Sequence, residues 1–325
     1  MLAMNRRILL AVGLSLWLAV GVVGAAPADP PRIGFLTPLP ETGPDREGFR
    51  HGLRELGYVE GKNILIDWRR GETGQELLAQ AEALVKGKVN VIVTTGTPAT
   101  RAAMQGTTTI PVVFAGVGDP VASGFAASLA KPGRNGTGVS VFATELYPKR
   151  LELLHLLAPK ARRITYLLNS SNPLTPRFLE ETEIAAHKLG IRLQTLDARN
   201  MRELDAVLQI LEKNPPEAIL VGGDLLYLAH KGKVAAAVRK SRIPAIFASE
   251  GYHQHGALMS YGPSIREAGR LAAVYVDKIL KGAIPSELPI QQISRYELIV
   301  DLKLARELGI AVPRELLARA DRVIR

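Results

Sequence analysis

Short apolar runs alternate with amphipathic helical stretches along almost the whole chain, and no other feature constrains the fold as much. Arg32–Thr37 is an apolar run ended by Pro38, which suits a buried strand. Phe49, Leu53 and Leu56 recur at helical spacing over 45–56, and Gly57 is placed to stop that helix. Ile64, Ile66 and Trp68 alternate as a strand does, and Leu77, Leu78, Ala81, Leu84 and Val85 mark a helix over 75–85. The same reading predicts strands at 89–94, 110–115 and 136–141 and helices at 96–104, 119–129 and 146–157. The helix at 119–129 is expected because Asp119 is a good N-cap and Pro120 a good first helical residue.

At Ile164 the pattern starts again. Strands are expected at 164–168, 191–196, 218–222 and 243–248, with helices at 173–189, 201–214 and 225–241. A tail adds a strand at 257–261, a helix at 264–280, an extended Pro-bounded run at 288–300, and short helices at 302–308 and 314–320. Strand–helix alternation with short turns implies parallel sheets covered by helices on both faces. Each block has the size of one doubly wound lobe. The fold class is therefore α/β, two doubly wound parallel-sheet lobes joined by crossover strands. The tail is easiest to explain if it re-enters the first lobe and then returns to the second. That places 32–145 plus 257–288 in lobe 1 and 146–256 plus 289–325 in lobe 2. An eight-fold β/α barrel fits less well, because nine strand candidates precede the tail.

The N-terminus sets an address. Arg6 and Arg7 precede eighteen uncharged apolar or small residues, Ile8–Ala25, and then Ala26-Pro27-Ala28. This is the layout of a secretory signal peptide over 1–28, cut after Ala25 or Ala28; an uncleaved anchor helix is the alternative. The chain has no cysteine, so disulfides, thiolate metal sites and a lipidated N-terminal Cys are excluded. A periplasmic protein that is not a lipoprotein is expected. Net charge is +10, but it is scattered, whereas a nucleic-acid binder concentrates charge on one face or arm. No nucleic-acid partner and a monomer are expected.

A doubly wound sheet holds its ligand beyond the carboxyl ends of its strands. The residues there are small or hydrogen-bonding: Thr37, Thr95, Thr97, Pro98 and Gly116 in the first block, and Asn169, Asp224, Ser249 and Glu250 in the second. Helix N-termini follow most of them and offer unpaired N–H groups to an anion. Asp224 and Glu250 are placed to hold a cation such as an α-ammonium. Any one of these residues can instead be a simple helix cap. Dinucleotide, P-loop, nucleophile-elbow and zinc-protease motifs are absent. His253 and His255 form an isolated H-x-H, more in keeping with a partly exposed loop than with a metal site. Neither cofactor nor metal is expected. The residues leave a binding protein, a secreted α/β hydrolase or sugar-modifying enzyme with Asp224 and Glu250 as its only candidate carboxylates, or a sensor ectodomain.

Five segments carry a resemblance. Phe49–Asn63 (FRHGLRELGYVEGKN), Val91–Ala99 (VIVTTGTPA), Ile110–Ser123 (IPVVFAGVGDPVAS), Leu258–Pro263 (LMSYGP) and Arg319–Ile324 (RADRVI) are similar to the ABC transporter substrate-binding protein family with a type I periplasmic-binding fold. That group is often linked to uptake of tryptophan or other aromatic amino acids. The resemblance implies two lobes around a cleft, no catalysis, and delivery of a small polar or amino-acid-like ligand to a membrane permease driven by an ATPase. It falls on Thr37, Thr95 and Thr97 in the first lobe and on Asn169 and Asp224 in the second. The chain departs from the family's usual prolines near Asn169 and after Asp224, and from its usual pattern at Ser249–Tyr252.

Overall fold

A computed structural model describes residues 29–141, 145–293 and 296–325; the expected signal peptide lies outside the described residues. The first half forms β1 (Arg32–Thr37), α1 (Pro44–Glu55), β2 (Leu65–Arg70), α2 (Gly74–Lys86), β3 (Val91–Thr95), α3 (Gly96–Gly106), β4 (Val112–Val117) and β5 (Gly136–Ser140). The second half begins with α4 (Leu146–Leu157), β6 (Arg163–Leu168), α5 (Thr175–Leu189), β7 (Arg192–Asp197) and α6 (Met201–Lys213). It continues with β8 (Ala218–Val221), α7 (Leu225–Ala229), α8 (Lys231–Lys240), β9 (Ala245–Phe247) and β10 (Met259–Gly262). The tail contributes α9 (Ile265–Leu280), β11 (Gln291–Gln292), β12 (Glu297–Asp301), α10 (Leu302–Leu308), α11 (Arg314–Arg319) and β13 (Arg322–Ile324).

Two sheets result, ordered β11-β5-β4-β3-β1-β2 and β13-β12-β10-β9-β8-β6-β7. All pairings are parallel except β10 with β12. The central strands β1, β3 and β4 are buried almost throughout, which is why they read as continuous apolar runs. The edge strand β2 is exposed or half-buried at every position and lies two residues later than its alternation suggests.

Sheet pairing moves the expected lobe boundaries. The segment at 257–262 was expected in lobe 1, yet β10 pairs with β9 in the second sheet. The chain crosses only after Pro263, and α9 then packs on α1 of the first lobe. Glycines make that packing close: a Cβ on Gly48 would lie 1.9 Å from the Arg266 carbonyl oxygen, and one on Gly269 would lie 2.3 Å from that of Asp45. Gln291 and Gln292, expected in lobe 2, pair with β5 of the first sheet, and β12 returns to the second.

Two helices differ from expectation. Residues 120–129 form turns. Asp119 Oδ1 accepts from the N–H groups of Val121 and Ala122 at 3.1 and 2.9 Å; this is a side-chain turn that starts like a helix cap but is not propagated. The expected helix 225–241 is broken at His230 into α7 and α8.

Candidate functional site

The lobes face each other across a cavity of about 320 Å³, within the range of small-molecule sites. Lobe 1 presents the loops that end β1, β2, β3 and β4; lobe 2 presents those that end β6, β7, β8 and β9. Thr97, Pro98, Gly116, Asn169, Asp224 and Ser249 all line it, so six of the nine expected residues come together. The other three do not. Thr37 and Thr95 lie beneath the wall, donating their hydroxyls to Asp45 Oδ2 at 2.6 and 2.8 Å. Burial raises the Asp45 carboxyl above its ordinary value, and those two hydrogen bonds oppose the rise. Glu250 is directed elsewhere, with Arg322 3.6 Å away and the Ser264 hydroxyl at 3.5 Å.

The lobe 1 wall is built on the start of α3. Thr95, its N-cap, makes no side-chain cap, because its hydroxyl is spent on Asp45. The first turn of an eleven-residue helix therefore opens on the cavity with its N–H groups uncapped. Thr97 stands at that opening, only 4% exposed, and its hydroxyl has no protein partner among the described residues.

On lobe 2, Asp224 is enclosed by protein but keeps some of its surface toward the cavity. Its Oδ1 accepts from Asn169 Nδ2 at 3.0 Å and the Leu226 N–H at 2.9 Å, and its Oδ2 from Asn172 Nδ2 at 3.2 Å. Burial raises its carboxyl above the ordinary value, and the three hydrogen bonds oppose this. No basic side chain pairs with it among the described residues. A buried carboxyl without a basic partner is chemically suited to a cationic group.

Several wall residues escaped the sequence reading. Tyr147, Arg150, Leu225 and Tyr252 line the cavity; the first three look like ordinary helix residues by spacing, and Tyr252 stands in the connection after the strand at 243–248. In the H-x-H, burial pushes the His253 imidazole down to about 4 and its Nε2 lies 2.8 Å from the Ser260 hydroxyl; no group of three potential metal ligands exists among the described residues.

The lobes are drawn together. Leu225 Cδ1 sits where a Cβ on Gly96 would lie 2.5 Å away, and Leu39 of lobe 1 is buried in a core cluster with Val221 and Tyr252 of lobe 2. Arg177 Nη1 reaches Asp119 Oδ2 across the gap at 2.8 Å. Arg177 is half-exposed, so this pair contributes about 1 kcal/mol or less. Arg177→Ala is expected to weaken ligand binding roughly two- to five-fold by speeding release, as read by stopped-flow. An unchanged release rate would remove this pair from the closing contacts.

A model of the family described as ABC transporter substrate binding protein matches residues 40–324. A tyrosine-binding protein of Clostridioides difficile is 27% identical over 270 residues, covering 83% of this chain and 77% of that protein. An ABC domain from Streptococcus pneumonia, solved with L-Trp, superposes with a TM-score of 0.82 at 26% identity, covering 91% of this chain and 100% of that one. A ligand-free, open substrate-binding protein from Clostridium difficile, also 26% identical and covering 90% and 99%, gives only 0.62. At equal identity, the ligand-bound neighbour is the better fit, in keeping with the interlobe contacts above.

Proposed function

This chain belongs to the ABC transporter substrate-binding protein family, and on that premise we propose that it captures an amino acid between its lobes. Members are extracytoplasmic, bind a small molecule and work with a transporter; they are binding proteins and not enzymes. The hydrolase alternative also lacks its carboxylate pair, since Glu250 is directed away from the cavity that Asp224 lines.

The observation that carries the proposal is the pairing of opposite needs across one enclosed space. Asp224, with Asn169 beside it, receives the ligand's α-ammonium. The open first turn of α3, with Thr97, donates to its carboxylate. Each lobe holds one end of the zwitterion, so binding energy is gained only when the lobes close, and closure is the signal. The closed form docks on a membrane permease served by an ATPase. Export by residues 1–28 delivers a monomer to the periplasm. The relatives that bind tyrosine and tryptophan favour an amino acid over a sugar.

A thermal-shift screen of the exported protein against L-amino acids, sugars and purines tests this. An amino acid is expected to raise the melting temperature, and its decarboxylated amine and its N-acetyl derivative are expected to have no effect. A shift produced by sugars alone would overturn the reading.

A further inference from the structure

The lobe 2 wall holds hydrogen-bond donors that the zwitterion does not use. Arg150 is 2% exposed, and no carboxylate pairs with it among the described residues. Its Nε donates to the Tyr261 carbonyl at 2.7 Å and its Nη2 to that of Ala248 at 3.3 Å. Its Nη1 makes no well-aligned hydrogen bond among the described residues, and the Tyr147 hydroxyl stands beside the guanidinium. The guanidinium lies 5.0 Å from the centre of the Tyr147 ring. Tyr147, also 2% exposed, accepts from the Gly223 N–H at 3.0 Å, and its hydroxyl stands beside that of Tyr166, with which it can share a proton. The two hydroxyls bring two protons and only one can lie between their oxygens, so one proton is left without an acceptor among the described residues. Gly223 leaves the approach clear: a Cβ there would stand 3.3 Å from the Tyr147 oxygen and 3.5 Å from Arg150 Nη1.

A buried cation without a carboxylate partner, and a pair of hydroxyls with a proton to spare, call for a further acceptor at the cavity that the described residues do not supply. We infer that Tyr147 and Arg150 form a specificity subsite for the end of the ligand's side chain, selecting amino acids whose side chain ends in an anionic hydrogen-bond acceptor, a carboxylate. Tyr147 donates to that group directly. Arg150 acts from behind as a fixed positive charge, its Nε and Nη2 tied to the ends of β9 and β10. The inference rests on the amino-acid reading above, which uses only Asp224 and the start of α3.

Calorimetric titration of two matched series tests it: L-glutamate, L-glutamine and L-norvaline, and the larger L-4-carboxyphenylalanine, L-tyrosine and L-phenylalanine. Within the series that the cavity accommodates, the carboxylate-ended member is expected to bind roughly tenfold or more tightly than the unsubstituted one. Tyr147→Phe should bring that ratio toward one, and Arg150→Gln should erase the preference for the acid over its uncharged partner. If a variant does not fold, as judged by circular dichroism, the wild-type ratio decides alone. Binding that needs Asp224 but shows no preference for the acid overturns this subsite and leaves the amino-acid reading standing. So does a ratio untouched by Tyr147→Phe. Binding of no amino acid at all overturns both.

Discussion

Asp224→Asn should severely weaken amino-acid binding while leaving a folded protein. Asn keeps the shape and can still accept from the Leu226 N–H that Asp224 caps, so α7 keeps its start. What it loses is the charge. An ammonium taken out of water against an uncharged amide forfeits most of the interaction that offsets its desolvation, worth about 2–4 kcal/mol. Affinity should therefore fall by roughly two orders of magnitude. The pH response gives an independent signature. Burial holds the Asp224 carboxyl above its ordinary 3.8 in the folded chain. Between the two values the folded state keeps a proton that the unfolded chain has released. The stability linked to that proton is fully present below 3.8 and is lost as pH rises through the raised value. Ligand affinity runs the other way, falling as acid neutralises Asp224. In Asp224→Asn the affinity response should vanish, and the stability response should shrink to the part left by Asp45, whose carboxyl burial also raises, as read by calorimetry and melting curves from neutral pH downward. Retention of full affinity by the variant would remove Asp224 from the site.

Gly48→Leu should unfold or severely weaken lobe 1. The backbones of α1 and α9 approach so closely that even a methyl group at 48 would overlap the Arg266 carbonyl, at 1.9 Å, and one at 52 would come within 2.5 Å of that of Arg270. Both obstacles are backbone, so neither can turn aside as a side-chain tip would. The helices would have to separate, opening the cluster of Phe49, Leu53, Ala268 and Ala272. A loss of about 3 kcal/mol or more is expected from overpacking of this kind, measured by chemical denaturation. The same contact ties the C-terminal third of the chain to the first lobe, so the variant should also lose ligand binding. An unchanged denaturation midpoint would mean that the helices do not cross as closely as described.

The architecture was legible because buried parallel strands must be apolar on both faces. Runs such as Val91–Thr95 and Ala218–Val221 announce themselves, and the restart at Ile164 separates the lobes. Turn chemistry was harder to read. Asp119-Pro120 satisfies the rules for a helix start and for a side-chain turn alike, and only the hydrogen bonds of Asp119 decide between them. The tail crossings depend on which sheet β10 and β11 join, and local pattern carries no record of that. At the site, strand-end position found Thr97, Asn169 and Asp224. It also proposed Thr37 and Thr95, which sit at equivalent places but face inward to Asp45. Tyr147 and Arg150 were invisible for the opposite reason. They stand on α4, a helix whose buried face covers the second sheet, and only the folded chain shows that its first turns also border the cleft.

Small-angle scattering of the exported protein, with and without the amino acid that gives the largest thermal shift, tests the central claim most directly. The radius of gyration should fall on saturation, the bound curve should match the closed arrangement described here, and the amino acid should be recovered unchanged. A radius that stays the same at saturating ligand, or recovery of a chemically altered ligand, would contradict capture by two closing lobes.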